Sequence, residues 1–552
     1  MKKHLLFLIL LLAMTACTSP DRTAEPTDTE ALTVFIDDFN PAASGRRQAS
    51  AEDLSAESFA AELQHTRDQL TRLRAIDTSQ LTGDDLIDWK FAESILVGQE
   101  LRQARMQAWK KDPRQYMSFS GLSRVIGRPG DYAEKVEELR QRLRIMPVQL
   151  ANGQAQLEVY VPRFQELSLF MAENGRTFFE QELAPFIAAT GASDLQAPAD
   201  SARAALETFI TFLQEELPKR PEGHFAIGED TYNAMLAGQL LLPFDADSLY
   251  TYGWQQFEKT VAELEALAAT IDPTKSWQEL CLEIKNDYPE PHQMIEAHQE
   301  WVNKARDHIL ANDLIPIPWP ERVAVVPRAE YLRKTSYYGN FSRARELDED
   351  SVYTAQWMIN PYEDQWDEAT KQDYLTEHDW GVIIVTAPHE SYGGHHVQGL
   401  YQLHNPRPLR RDNGLSLFSE GWGLYNEQLM QETGFFPGER IHLRQLQLRL
   451  WRNARVVYDV GLHTGRLTYD EAVRLMTERV GFLEWAGQLE IDSATSSPGY
   501  FIGYFLGMAE ILRMRDDYRA IKGETFTLRD FHEDLLKIGN MPTTLMREAL
   551  LQ

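Results

Sequence analysis

The chain has 552 residues, 43% of them apolar and 25% charged, with a formal net charge of −28. That length can bury an extensive core, which excludes a small binding module. The acidic balance and the scattering of Lys and Arg exclude nucleic acid and anionic lipid surfaces as preferred partners.

Lys2 and Lys3 precede an apolar run from Leu5 to Leu12 that ends in Met14-Thr15-Ala16-Cys17. This pattern predicts a lipoprotein signal peptide over 1–17, because the run is too short for a bilayer-spanning helix and ends at a lipobox-like cysteine. Acyl chains on Cys17 would then hold the mature chain at a membrane, and the lipid would be its only membrane contact. The bland alternative is an ordinary cleaved signal with an incidental cysteine. Thr18 and Ser19 in place of Asp point to the periplasmic face of a Gram-negative outer membrane. Residues 18–50, rich in Thr, Ser, Pro, Ala and Asp, read as a flexible tether. Residues 51–552 read as a single unit, with a helical lobe over about 51–320 and a metal-site lobe over about 321–552. Cys281 is the other cysteine, so the mature chain has no intramolecular disulfide, and its apolar neighbours predict a buried filler.

Apolar spacing predicts helices at 53–76, 83–110, 131–157, 201–216, 246–271 and 291–311, with breaks at Arg128-Pro129-Gly130 and at 218–223. Strand signals fall at 322–326 and 351–358, enough for a small sheet whose edge could align an extended peptide. Residues 381–386 could be a buried strand, but their continuity with the segment that follows favours a long buried helix. Arg410-Arg411 reads as part of a solvated loop. No phosphate-binding glycine loop and no serine nucleophile elbow stands in the sequence.

The chemistry concentrates in His389-Glu390-Ser391-Tyr392-Gly393-Gly394-His395-His396. A catalytic zinc takes about three protein ligands and keeps one position for water, which a neighbouring Glu can deprotonate. The usual spacing places two His at i and i+4 of one helix, whereas here the second His stands at i+6 or i+7. Glycines tolerate a helical bulge, and two residues looped out at Gly393-Gly394 would bring His395 to the i+4 place, with His396 the alternative. A third ligand is expected at Glu420, within a segment of helical apolar spacing at Leu417, Trp422, Tyr425 and Leu429. Glu427, two turns on, is the alternative ligand or an orienting partner. Two His and a distal Glu make a gluzincin-like layout with Glu390 as the base. The bland alternative is a surface histidine cluster.

HESYGGHHVQ (389–398) and EGWGLYNE (420–427) resemble the HExxPGHHxQ and EGWAxYxE signature of the DUF885 family of bacterial proteins, with Gly393 where the family has Pro. The resemblance extends to RNARVVYDVGLH (452–463), to the stretch from Pro498 to Met541 and to Gly228–Tyr232. The family is similar to zincin-type metallopeptidases. The resemblance therefore implies a mainly α, multi-helix zincin-like fold with a small β-sheet beside the active-site helix, one zinc per chain and peptide substrates. It implies Tyr504 as the oxyanion donor, with Tyr500 as the alternative, and His532 as a further donor or an orienting group. It also implies a substrate-carboxylate clamp at Arg455 and a supporting carboxylate at Asp459, although an Arg and an Asp at i and i+4 are ordinarily a helix pair. EIDSATSS stands before Pro498 where a more basic run is expected, so substrate contacts there would differ. The expected function is zinc-dependent cleavage of small peptides at the cell envelope. The alternative is a peptide-binding lipoprotein without turnover. A di-iron bundle is excluded for want of two Glu-x-x-His pairs.

Overall fold

Helical periodicity carries into the structure, a computed structural model that describes residues 27–39, 53–117, 119–127, 131–328 and 339–552. The leader, Cys17 and the break at 128–130 lie outside the described residues. Within the expected tether, Asp28–Asp38 forms helix α1, begun by a capping box at Thr27 and packed into the core through Leu32 and Phe35.

Local caps start several of the helices that follow. Ser55 opens α2 (Ala56–Arg74), and α3 (Gly83–Leu101) follows it. Asp131 opens α4 (Tyr132–Gln156), Pro162 sits in the first turn of α5 (Pro162–Phe178), and α6 is Gln196–Glu215. Asp245 forms a capping box on α7 (Ala246–Ile271), and α8 is Met294–Ala311. The predicted helix over 83–110 is shorter than expected: α3 ends at Leu101 and passes into irregular turns. Helix α5 lies outside the predicted set.

Apolar burial divides into clusters that ignore the expected lobe boundary near residue 320. One cluster runs only from Tyr116 to Leu217 and is built chiefly by α4, α5 and α6. The largest joins α1, α2 and α3 to the sheet and to helices beyond residue 380, so the first and last parts of the chain share a core. Arg410 belongs to this junction rather than to a solvated loop. It is buried, and its guanidinium bonds Asp88 at 2.6 Å and Asp84 at 2.8 Å, both on α3.

Both predicted strands are present, as β1 (Glu321–Pro327) and β3 (Tyr353–Ile359), paired in parallel. A strand the sequence does not announce, β2 (Asn340–Ser342), pairs antiparallel with β3, giving the order β1-β3-β2. At three residues it is too short to show alternation. Residues 381–386 are helical, within α9 (Trp380–Glu390), which Asp379 caps. Among the later helices, those that build the motif-bearing end are labelled α10 (His395–Leu403), α11 (Ser416–Glu432), α12 (Glu439–Thr464), α13 (Glu484–Thr495), α14 (Ile502–Lys522) and α15 (Leu528–Ile538), with shorter helices between them. No helix among the described residues is long and apolar enough to cross a membrane.

Two packing features fix the end of the molecule that carries the motif. Helix α12 is buried from Leu443 to His463 apart from Arg449, so it must pair polar groups inside the core. Arg444 pairs with Asp379 at 2.9 Å, and Asn453 bonds the Thr260 hydroxyl at 2.9 Å. Helices α11 and α14 meet at glycines. A Cβ on Gly421 would run into the Gly507 backbone, and one on Gly507 into the Leu417 carbonyl, so this crossing admits no side chain.

Candidate metal centre

The motif does not fold as one bulged helix. Helix α9 ends at Glu390, α10 starts at His395, and Ser391–Gly394 turn between them. Gly393 takes φ +93°, a left-handed value forbidden to proline, so this turn is not a relaxed form of one with Pro at that position. A Cβ on Gly394 would strike the His389 carbonyl oxygen. The turn is tied to α11 by the Trp422 indole, which donates to the Gly393 carbonyl at 2.6 Å, and by Asn426, which donates to the Pro388 carbonyl at 2.8 Å.

This turn brings His389, His395 and Glu420 together, with one donor atom of each within 4.8 Å of the others. His395 Nε2 lies 3.4 Å and His389 Nε2 3.9 Å from Glu420 Oε2. Ligands about 2.0 to 2.2 Å from a tetrahedral zinc stand roughly 3.3 to 3.6 Å apart, so a donor set gathered within 4.8 Å can close on such an ion. Gly423 makes room for the His389 ring, which lies 2.6 Å from where a Cβ would be.

The alternatives separate cleanly. His396 turns away, its Nε2 2.8 Å from Glu321 Oε2 on β1, and Glu321 also takes a hydrogen bond from Tyr392 and an ion pair from Arg306. Glu427 is not a third ligand: its Oε1 lies 2.8 Å from His389 Nδ1, which orients the ring and leaves Nε2 facing Glu420. Burial opposes an imidazolium at His389, but Glu420 and Glu427 outweigh it and raise the pKa to about 9. Burial also opposes charge on Glu420, yet His395 and His389 hold its carboxyl well below the usual range.

Glu390, half-buried, lines the same cavity of about 500 Å³, as do Tyr500 and Tyr504. Tyr500 donates to Glu420 Oε1 at 3.1 Å, and the two phenol oxygens are 3.2 Å apart. Burial raises Tyr500 to about 12 and Tyr504 well above the ordinary value, so both phenols keep their protons and can donate.

Three of the expected roles are corrected. Arg455 does not pair with Asp459; it lines the cavity with its guanidinium held by a carboxylate of the chain itself. It bonds Glu490 on α13 at 2.7 and 3.3 Å and lies over the Tyr504 and Trp451 rings. Asp459 supports the tyrosines rather than the metal ligands. Its oxygens accept from the Gly499 and Phe501 amides and from the Tyr232 hydroxyl, fixing the start of α14, and burial raises it to about 6 against those bonds. His532 lies behind α11, where its Nε2 meets the Tyr425 hydroxyl at 2.7 Å and its Nδ1 the Leu314 carbonyl at 2.8 Å. Buried there, it does not line the cavity.

Sequence reasoning missed Glu490, Glu321 and Arg452. Glu490 opens the EIDSATSS stretch whose composition already stood out, and it accepts from Trp451, Arg455 and Tyr458. Arg452, buried in the cavity wall, lies 3.7 Å from Glu427. Nothing local in the sequence marks Glu321, whose partner stands 75 residues away.

These elements define a mainly helical protein with a small three-stranded sheet and a buried His-His-Glu cluster at a cavity. The chain belongs to DUF885, described as bacterial protein of unknown function, which matches residues 41–550. No curated protein matches the chain. Its fold is similar to that of a candidate lipoprotein of unknown function from Shewanella oneidensis, with a TM-score of 0.79, 19% identity, and 96% of this chain and 100% of that one covered. It is also similar to a candidate lipoprotein from Colwellia psychrerythraea, with a TM-score of 0.70, 17% identity and 95% of each chain covered.

Proposed function

We propose that this chain is a zinc-dependent peptidase of gluzincin-like design, held at the cell envelope by lipid on Cys17. The observation that carries the reading is the convergence of His389, His395 and Glu420 donor atoms within 4.8 Å, beside Glu390 in one cavity. Zinc bound there would supply a Lewis acid that acidifies water and polarises a carbonyl. Glu390 takes the proton of the attacking water and returns it to the leaving amine. Tyr504 and Tyr500 donate to the carbonyl oxygen as negative charge develops on it. Glu427 keeps His389 in the tautomer that offers Nε2.

A peptide substrate is supported by β2, an edge strand of the described sheet, whose Asn340 and Phe341 line the cavity and could pair with an extended chain. The lipid anchor is supported by the lipobox-like leader and by the description of both structural relatives as candidate lipoproteins. In these terms the fold is zincin-like and the protein faces the periplasm.

Metal analysis tests the reading. The purified mature protein is expected to hold about one zinc per chain. His389→Ala, His395→Ala and Glu420→Ala are expected to empty the site, and His396→Ala to keep it. A wild-type protein without zinc rejects the proposal, and zinc retained in His395→Ala but lost in His396→Ala rejects the ligand assignment.

A further inference from the structure

Beyond Tyr500 a second cavity, of about 390 Å³, adjoins the first, and Tyr500 lines both. Its wall is made by the most irregular backbone near the site. Helix α3 gives way to a π-helix over Arg102–Met106, then to Gln107 at φ 44° and ψ 49°, then to a 3-10 turn over Ala108–Lys110. A side chain in the left-handed region is strained, and such strain collects where a wall must be shaped for a ligand. Here it brings Arg102, Met106, Trp109 and Lys111 onto one cavity, faced by Phe164 and Phe225.

The two cations of this wall are not tied up in ion pairs. Arg102 donates only to the Gln239 side chain, at 3.4 Å, and Lys111 only to the Phe225 carbonyl, at 3.3 Å. Neither has an ion pair among the described residues. Asp112, on the same wall, is taken up by Arg114 at 2.8 and 2.9 Å, and Glu62 is itself partnered. Burial lowers the pKa of the half-buried Lys111 against the opposing charge of Asp112, whereas Arg102 reaches solvent. In a chain of net charge −28, two cations without an ion pair beside aromatic walls form a local exception.

We propose that this cavity is a second binding site, for an apolar or aromatic group that carries a carboxylate, and that it receives the carboxylate end of a peptide lying across the metal centre. The peptide part rests on the function proposed above, whereas the carboxylate site does not. Arg102 and Lys111 hold the anion, and the aromatic walls cover the apolar part. Tyr500 stands between this end and the reacting bond.

The test compares hydrocinnamate with hydrocinnamyl alcohol, which share a ring and chain and differ in charge, by calorimetry on the full chain before and after chelation. Hydrocinnamate is expected to bind about tenfold or more tightly than the alcohol, as a charge-assisted bond would give. That preference should survive chelation and fall about tenfold in Arg102→Gln and in Lys111→Gln. Equal binding of the two compounds overturns the proposal, and so does binding that neither substitution changes. Binding that disappears on chelation assigns the carboxylate to the metal and overturns it too. For the peptide part, Arg102→Gln should raise KM about tenfold for a peptide with a free carboxylate and leave its amide unchanged, and equal rises on both reject it. If the protein holds no zinc but keeps the charge preference, the second site stands and the peptidase reading fails.

Discussion

The cluster around Phe209 and the walls of the His-His-Glu cavity solve the same packing problem in opposite ways. Between Tyr116 and Leu217 the buried side chains are almost all aliphatic or aromatic, and the ion pairs, such as Arg176–Glu207, lie at the surface. Around α9, α11, α12 and α14 the interior holds His389, Glu427, Arg452, Asn453 and Asp459, and the closest helix crossing is made by glycines. Buried ionic groups of this kind contribute little net stability against apolar replacements. The polar end is thus arranged for positioning, and the apolar end for stability. Substitutions in the two regions should therefore separate function from folding.

The largest separation is expected at Glu390. Glu390→Gln keeps the shape of the side chain but removes the base, so kcat on a cleaved peptide should fall by about 10² to 10⁴. Zinc content and the urea midpoint should stay at their wild-type values. Loss of zinc in this variant would make Glu390 a ligand, and full activity would make it a bystander.

Tyr504→Phe comes next, with a fall of roughly 10² to 10³ in kcat, the scale for removing one donor to a developing oxyanion. If Tyr504→Phe is silent and Tyr500→Phe is not, the donor role passes to Tyr500, whose hydroxyl already reaches Glu420.

A third pair of variants contrasts the regions directly. Leu206→Ala, in the apolar cluster where Leu206 is fully buried, should cost about 2 to 5 kcal/mol of stability and change kcat by no more than about twofold. Gly507→Ala should cost a comparable amount, because its Cβ would meet the Leu417 carbonyl and the Gly421 backbone, a clash that about 1 kcal/mol of helix propensity offsets only in part. Yet it pushes α14 away from α11, and displacing Tyr504 from Glu420 by even 1 Å should lower kcat about 10²-fold. Denaturant curves and turnover measured on both variants decide it. Parallel losses of stability and activity in the two would erase the distinction.

The same contrast explains what could be read from the sequence. Periodicity gave α4, α7 and α8 nearly to the residue, because each buries one apolar stripe against neighbours of the ordinary kind. The convergence of His389, His395 and Glu420 was legible because metal-ligand patterns use few residue types at few spacings. What stayed hidden depends on distant partners. Nothing near Arg455 in the chain says that Glu490 will hold it, and the pairing of Arg455 with Asp459 suggested by i, i+4 spacing fails because α12 is buried on all sides. The His532 role suggested by resemblance fails for a related reason: α15 reaches the back of α11, not the cavity.

His532 supplies the smallest effect, and it acts on stability alone. It is fully buried, its ring bonded to the Tyr425 hydroxyl and the Leu314 carbonyl, with Arg515 and Glu432 the charged groups nearby. Burial lowers its pKa to about 4, with Arg515 adding to the shift, whereas an unfolded histidine titrates near about 6.5. Between those values the unfolded chain binds the proton and the folded chain does not, so stability falls as the pH drops through that window. From pH 7.5 to pH 5 this single group should remove about 2 kcal/mol. His298 and His463, lowered by burial to about 3 and about 4, act in the same direction. In His532→Gln the fall in urea-derived stability over that range should shrink by about 2 kcal/mol, while zinc release, common to both proteins, cancels in the comparison. An undiminished fall would mean that His532 is already charged in the folded state, which its two hydrogen bonds do not allow without breaking the one from Tyr425.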